Sequence, residues 1–214
     1  MSTSKFPERH ERVQGHSFRF IASDNSLISN KKPFILFFHG FSFSLDDWRK
    51  TGTLERVQSL GYPFVALDLP SGKASKSDHI SYEKVADCIP IIDEFLEKID
   101  AFAAGKTIII GPSMGGGFAL VYAIAHPEKV AGLVLVSPSL NSIEEQELEN
   151  LETPTMLVWG ERDNVFPLEE YGKQLKNTLP HAKLVIIKGA GHAAYLDKHE
   201  EFNELLSDFL EELA

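Results

Sequence analysis

The sequence predicts an α/β fold, a doubly wound and mostly parallel sheet flanked by helices. Two observations predict it. Short apolar runs recur along the chain, each followed by a segment whose apolar residues return at helical spacing. The runs also lack the apolar-polar alternation of a half-exposed sheet, as expected for strands covered by crossover helices on both faces. With 214 residues, 43% hydrophobic and 24% charged, the chain can build one sizeable core, and a second is not expected. A single domain over 1–214 follows, with 1–15 as a loose or peripheral N-terminal segment.

The first run, Phe34 to Phe38 in KKPFILFFHG, ends at His39-Gly40 and reads as a buried strand. SLDDWRKTGTLERVQSLG then places Trp48, Leu54, Val57 and Leu60 at helical spacings and stops at Gly61. YPFVALDLPSG gives a second strand, ending in Asp68 and a Pro-Ser-Gly loop. YEKVADCIPIIDEFLEKIDAFAAG is helical in period, with a kink expected at Pro90. KTIIIGPS reads as strand, MGGGFALVYAIAHP as helix and VAGLVLVSPS as strand. The acidic stretch IEEQELENLE reads as a solvated helix face or a short lid remnant. PTMLVWG, PLEEYGKQLKNTLP, AKLVIIKG and EEFNELLSDFLEEL continue as strand, helix, strand and C-terminal helix.

Charge and composition exclude several classes of function. A formal net charge of -10, with no Lys/Arg cluster longer than Lys31-Lys32, opposes binding to nucleic acid or an anionic membrane. The single Cys88 can form neither an internal disulfide nor a cysteine-based metal knuckle, which suits a reducing compartment. The start, MSTSKFPERHERVQG, lacks the apolar core of a secretory signal, so a cytoplasmic location is expected. Thr107 to Ala125 approaches the length of a membrane-spanning helix, but Gly111, Pro112, Gly115, Gly116 and Gly117 break it into two elements.

In sheets of this kind, ligands sit beyond the carboxyl ends of the strands. Those positions hold His39-Gly40-Phe41, Asp68, Ser113, Ser137, Asp163 and His192. Gly111-Pro112-Ser113-Met114-Gly115 fits G-x-S-x-G between a strand and a helix, the setting in which that motif makes a nucleophile elbow. A serine hydroxyl needs an adjacent base, itself oriented by a third group. His192, in the loop after LVII, is the candidate base, and Asp163, in the loop after MLVW, is the candidate acid ahead of Glu161 and Asp68. The order Ser, Asp, His is the one this architecture uses. The backbone NH groups of Phe41 and Met114 are the candidate oxyanion donors. His39 reads as a structural hydrogen-bonding residue, and Trp48, Phe43, Phe166 and Tyr195 as packing aromatics.

HGF, DLPSG, GPSMGG, WGERDNVFP and GAGH together resemble the α/β-hydrolase superfamily from about Phe34 to the C-terminus. Only about a dozen residues separate LVSPSL from TPTMLVWG, where many relatives carry a helical cap, so the chain is similar to the small, cap-less, esterase-like branch of the abhydrolase-domain group. The resemblance implies Ser113, Asp163 and His192 as catalytic residues. It implies a carboxylesterase cleaving small or short-chain acyl esters through an acyl-enzyme, with no metal or organic cofactor. The same triad would serve an acyltransferase, thioesterase, peptidase or carbon-carbon hydrolase, and the same frame a ligand-binding or signalling protein. The chain departs from the group at Asp68-Leu69-Pro70-Ser71-Gly72-Lys73-Ala74-Ser75, where relatives read D-L-P-G-x-G-x-S, and the shape of that loop is left open.

Overall fold

The computed structural model describes residues 6–23, 32–102, 105–141 and 143–213. Its strands are β1 (Glu8–Val13), β2 (His16–Ala22), β3 (Phe34–Phe37), β4 (Phe64–Leu67), β5 (Thr107–Pro112), β6 (Val130–Val136), β7 (Thr155–Gly160) and β8 (Lys183–Ile187). They form one sheet in the order β1-β2-β4-β3-β5-β6-β7-β8. The strands from β4 across to β8 pair in parallel, while β2 pairs antiparallel with both β1 and β4. No helix among the described residues is long and apolar enough to cross a membrane.

Side chains of the parallel strands alternate between two buried cores, so a continuously apolar strand serves both faces. Leu36 and Ile109 face one core with Phe95 of α3 (Ile89–Lys98) and Phe118 and Tyr122 of α4 (Met114–Ala125). Ile35, Ile108 and Ile110 face the other, with Trp48 of α1 (Leu45–Lys50), Val57 of α2 (Thr53–Ser59) and Phe202 and Leu206 of α8 (His199–Glu212). Helix α4 is buried over most of its length, which accounts for its lack of charge.

Four local expectations change. The N-terminal segment contributes β1, which joins β2 through a two-residue turn at Gln14-Gly15, both in the left-handed region (φ 49° and 87°). That is the backbone a tight hairpin requires. The helix expected from Leu45 to Leu60 is two helices, because Gly52 turns left-handed (φ 68°) between α1 and α2. Pro90 produces no kink; it occupies the first turn of α3, where its missing NH costs nothing. PLEEYGKQLKNTLP begins with a wide π-turn at Leu168–Gly172 before α6 (Lys173–Thr178). The acidic stretch forms α5 (Glu145–Glu149), solvated except for Leu148, which anchors it to the core.

A charged cluster closes the β2 side of the sheet. Arg19 is 1% exposed, and its guanidinium donates to Glu8 (2.6 and 3.0 Å), Asp46 (2.8 and 3.0 Å) and Asp68 (3.0 Å). Asp68 is fully buried and also accepts from the Leu45 NH (2.7 Å) and the Lys76 NH (3.0 Å). One guanidinium therefore ties β1, β2, α1 and the exit of β4. The hydrogen bond from Arg19 holds the Glu8 carboxyl down from 4.5 to about 2. Burial pushes the Asp46 carboxyl up, but the bonds from Arg19 and Lys76 prevail and bring it from 3.8 to about 2.

Breaking a buried ion cluster by removing one partner costs about 3–5 kcal/mol. Arg19→Met should therefore lower Tm by roughly 10 °C in a scanning unfolding experiment, since each kcal/mol is worth about 2–4 °C at this chain length. Folded-state values below the unfolded ones place the stabilisation of Glu8 and Asp46 above about pH 4.5, to be lost as pH falls toward 2. Urea midpoints of the wild type should fall across that window, and those of Arg19→Met should fall less steeply.

Candidate active site

Ser113 lies between the end of β5 and the start of α4, with φ 49° and ψ -118°. This is a strained conformation for a non-glycine residue, worth about 1–3 kcal/mol. Two glycines permit the turn. A side chain on Gly111 would collide with the backbone of Gly115, and a Cβ on Gly115 would lie 2.6 Å from the His39 carbonyl oxygen. The Ser113 NH donates to the Val136 carbonyl (2.9 Å), and the Ser113 carbonyl accepts from Gly117 (3.1 Å) and Ser139 (2.9 Å). The backbone is thereby fixed from three sides, while Oγ has no protein partner among the described residues.

His192 and Asp163 meet on loops from the neighbouring strand ends. His192 Nδ1 lies 2.9 Å from Asp163 Oδ2, and Asp163 Oδ1 accepts from the Val165 and Phe166 NH groups (2.9 Å each). The Asp163 side chain is fully buried, whereas the imidazole is partly exposed. Burial pushes the Asp163 carboxyl up, but His192, the Phe166 NH and Ser137 together hold it below its ordinary 3.8. The carboxylate is thus ionised and fixes the imidazole with Nδ1 protonated and Nε2 turned outward. Phe166 packs edge-on against the His192 ring at 5.2 Å, and its carbonyl is held by Trp159 Nε1 at 2.8 Å. The competing acids are engaged elsewhere: Glu161 accepts from the Gly189 NH, and Asp68 from Arg19.

The backbone NH groups of Phe41 and Met114 donate to no protein acceptor among the described residues. The loop carrying Phe41 is braced by the Phe43 NH on the Gly40 carbonyl (3.0 Å) and the Lys73 NH on the Phe41 carbonyl (2.6 Å). His39 is fully buried behind it. Its Nε2 accepts from the Leu69 NH (2.9 Å), so Nδ1 carries the proton to the Gly40 carbonyl (2.9 Å). Burial pushes this imidazole below its ordinary 6.5, in keeping with a structural, neutral histidine. The departing loop takes a definite shape: Gly72 is left-handed (φ 104°), packed against His39, Phe41 and Met114, and Ser71 Oγ points to Met114 Sδ.

Ser113, Asp163, His192, Phe41 and Met114 are therefore all carried at the carboxyl edge of the sheet. The structure joins Asp163 to His192 directly; no hydrogen bond links Ser113 Oγ to His192. Trp48 and Tyr195 are buried in the core. Two features were not assigned a role from sequence: the edge contact of Phe166 on His192, and Ser137, fully buried at the end of β6. A larger concavity of about 770 Å³, between the C-terminal end of α4 and α5, opens at the opposite edge and holds none of these residues. Among the described residues no group of three or more His, Cys, Asp and Glu side chains is arranged to hold a metal ion.

Residues 33–151 and 139–199 match the family model described as the alpha/beta hydrolase fold. The chain is 34% identical over 182 residues to a rat protein named putative protein-lysine deacylase ABHD14B, covering 84% of each. It is 32% identical over 176 residues to zebrafish (Danio rerio) protein ABHD14A, covering 82% of this chain and 63% of that one. Among solved structures, a protein of Thermoplasma acidophilum named as a predicted CIB-like hydrolase superposes with a TM-score of 0.84 at 27% identity, over 96% of this chain and 97% of the other. The carboxylesterase CesB of Bacillus subtilis, at 17% identity and a TM-score of 0.79 over 96% and 92% of the two chains, shares the fold. On the family match and these relatives, the chain belongs to the α/β-hydrolase fold family.

Proposed function

We propose that the protein is a serine hydrolase of short acyl groups, in the first instance a carboxylesterase working in a reducing, cytoplasmic setting. The observation that carries the reading is the 2.9 Å bond from His192 to a fully buried Asp163, at the sheet edge where Ser113 is held in a strained turn. Ser113 Oγ attacks the acyl carbonyl as His192 Nε2 takes its proton, and Asp163 stabilises the imidazolium. The Phe41 and Met114 NH groups receive the oxyanion, at no cost in broken protein hydrogen bonds. The imidazolium then protonates the leaving alcohol, and water activated by His192 releases the acid. The nucleophile-base contact forms with substrate, as such bonds commonly tighten on binding.

The size of the acyl group is read from a cavity of about 40 Å³ beside the elbow, mostly apolar, lined by Val85, Met114, Gly117, Val121 and Ile143 with Ser139 and Asn141. An apolar cavity of about 150 Å³ holds benzene, so this one accepts roughly one or two carbons beyond the carbonyl. A second reading, removal of acyl groups from lysine side chains, is favoured by the open mouth. Phe41 (59% exposed) and Val165 (55% exposed) stand on either side of β5, and both are available to a polypeptide substrate. It is also the activity in the name of the ABHD14B relatives.

Labelling by a fluorophosphonate probe should be complete in the wild type and absent in Ser113→Ala; equal labelling of the two removes Ser113 as the nucleophile, and no labelling of either leaves the ligand-binding reading. Asp163→Asn should keep the fold by circular dichroism and lose about 10³–10⁴-fold in kcat against p-nitrophenyl acetate, as the imidazole then takes the wrong tautomer. Acetate and propionate esters should exceed octanoate in kcat/KM. Ile143→Ala should raise the hexanoate-to-acetate ratio about tenfold, the worth of two buried methylenes. Parallel turnover of an acetyl-lysine peptide decides between the ester and lysine readings.

A further inference from the structure

The last residue of β6 leads into a feature that neither the triad nor the oxyanion donors explain. Ser137 is fully buried, its hydroxyl has no hydrogen-bond partner among the described residues, and its backbone is left-handed (φ 43°). A buried hydroxyl without a partner costs about 1–3 kcal/mol, and a non-glycine residue at positive φ adds to that. Two unfavourable features in one residue beside the proposed nucleophile point to a role in the site.

The strand register locates that role. The Ser137 NH donates to the Val158 carbonyl of β7, and the Ser113 NH donates to the Val136 carbonyl of β6. Ser137 thus stands between the elbow and the start of the loop that carries Asp163. The Asp163 carboxylate has room for about four donors. Three are accounted for: His192 on Oδ2, and the Val165 and Phe166 NH groups on Oδ1. One acceptor position on the carboxylate is left over, and Ser137 lies near enough to contribute to its lowered value although its hydroxyl makes no hydrogen bond to it in the structure. Among the described residues, the titratable side chain hydrogen-bonded to this carboxylate is His192; Glu161 is turned to the Gly189 NH.

We propose that Ser137 is a positioning residue, its hydroxyl turning to donate the fourth hydrogen bond to Asp163 and so limiting how strongly that carboxylate favours a charged His192. The inference rests on the serine-hydrolase reading for its consequence in catalysis. Its physical content is the coupling of residue 137 to the imidazole, which can be measured without turnover. A donor shared with the carboxylate spreads its charge and weakens its grip on the imidazolium. Without that donor, His192 should keep its proton to higher pH.

The test is the titration of His192 followed by NMR of the imidazole protons, in Ser113→Ala and in Ser113→Ala with Ser137→Ala, beside pH profiles of kcat/KM with Ser113 intact. Ser137→Ala should move the His192 midpoint, and with it the acid limb of the profile, upward by about half a unit. Ser137→Gly relieves the strained backbone and serves if the alanine variant folds poorly. The glycine variant should move the midpoint equally, because it too lacks the donor. An unmoved midpoint in a folded variant overturns the proposal, as does a shift with alanine that glycine reverses, which would trace to backbone strain. If Ser113-dependent turnover is absent from the wild type, the hydrolase reading fails, and the NMR midpoint still decides the coupling of Ser137 to His192.

Discussion

The candidate active edge is organised by one constraint: a strand and a helix must meet at an angle that a single residue, Ser113, absorbs. The turn forces the end of β5 and the first turn of α4 into backbone contact, which residue 111 allows only as glycine, and brings residue 115 against the His39 carbonyl, where again only glycine fits. The same contact determines what surrounds it. The Ser113 carbonyl is taken up by the Ser139 NH, so the chain leaving β6 must fold back over the elbow. Ser137 lies on that return path with a positive φ. The strained serine is thus held by a neighbour that is itself strained, and both are stabilised by the apolar cores on either face of the sheet. Strain of this kind persists only where the surroundings over-determine it.

The opposite flank of the site depends on charge. The loop carrying Phe41 rests on His39, His39 holds the Leu69 NH, and Leu69 follows Asp68, which Arg19 neutralises from inside the sheet. A chain of specific bonds therefore runs from the N-terminal hairpin to the proposed oxyanion donor. Each link is buried, so each is expensive to leave half-made. The hairpin, far from the chemistry in sequence, is continuous with the wall of the site.

The sequence makes the candidate site legible because its residue types have few alternative explanations. A serine framed by glycines between an apolar strand and an apolar helix leaves little freedom, and the loops after LVWG and LVII carry the residues that meet as the Asp163–His192 pair. His39 was legible as structural from its position, closing the first apolar run just ahead of the loop that carries Phe41. What stayed hidden were features whose cause is tertiary. RHERVQGHSFRF reads as a polar start because β1 is largely solvated, and Arg19 betrays its burial only once three carboxylates from distant segments converge on it. The break at Gly52 was masked by apolar residues that keep helical spacing across it. Ser137 gave its position but no role, because an orphaned hydroxyl is a property of packing and has no sequence signature.

The hairpin has a further consequence for how the molecule meets others. A sheet that does not close leaves two outer strands with unpaired backbone groups, a template on which foreign strands can add. β1 lies at one border and carries Glu8, Arg9, His10, Glu11 and Arg12 in succession. An incoming strand there would have to accommodate five consecutive charged or titratable side chains. β8, at the other border, is only five residues long and opens with Lys183, which is paired to Glu212 at 2.7 Å. The polar start of this chain therefore gives the sheet a charged border that disfavours pairing with foreign strands, at the side farthest from the strand that leads into the proposed nucleophile elbow.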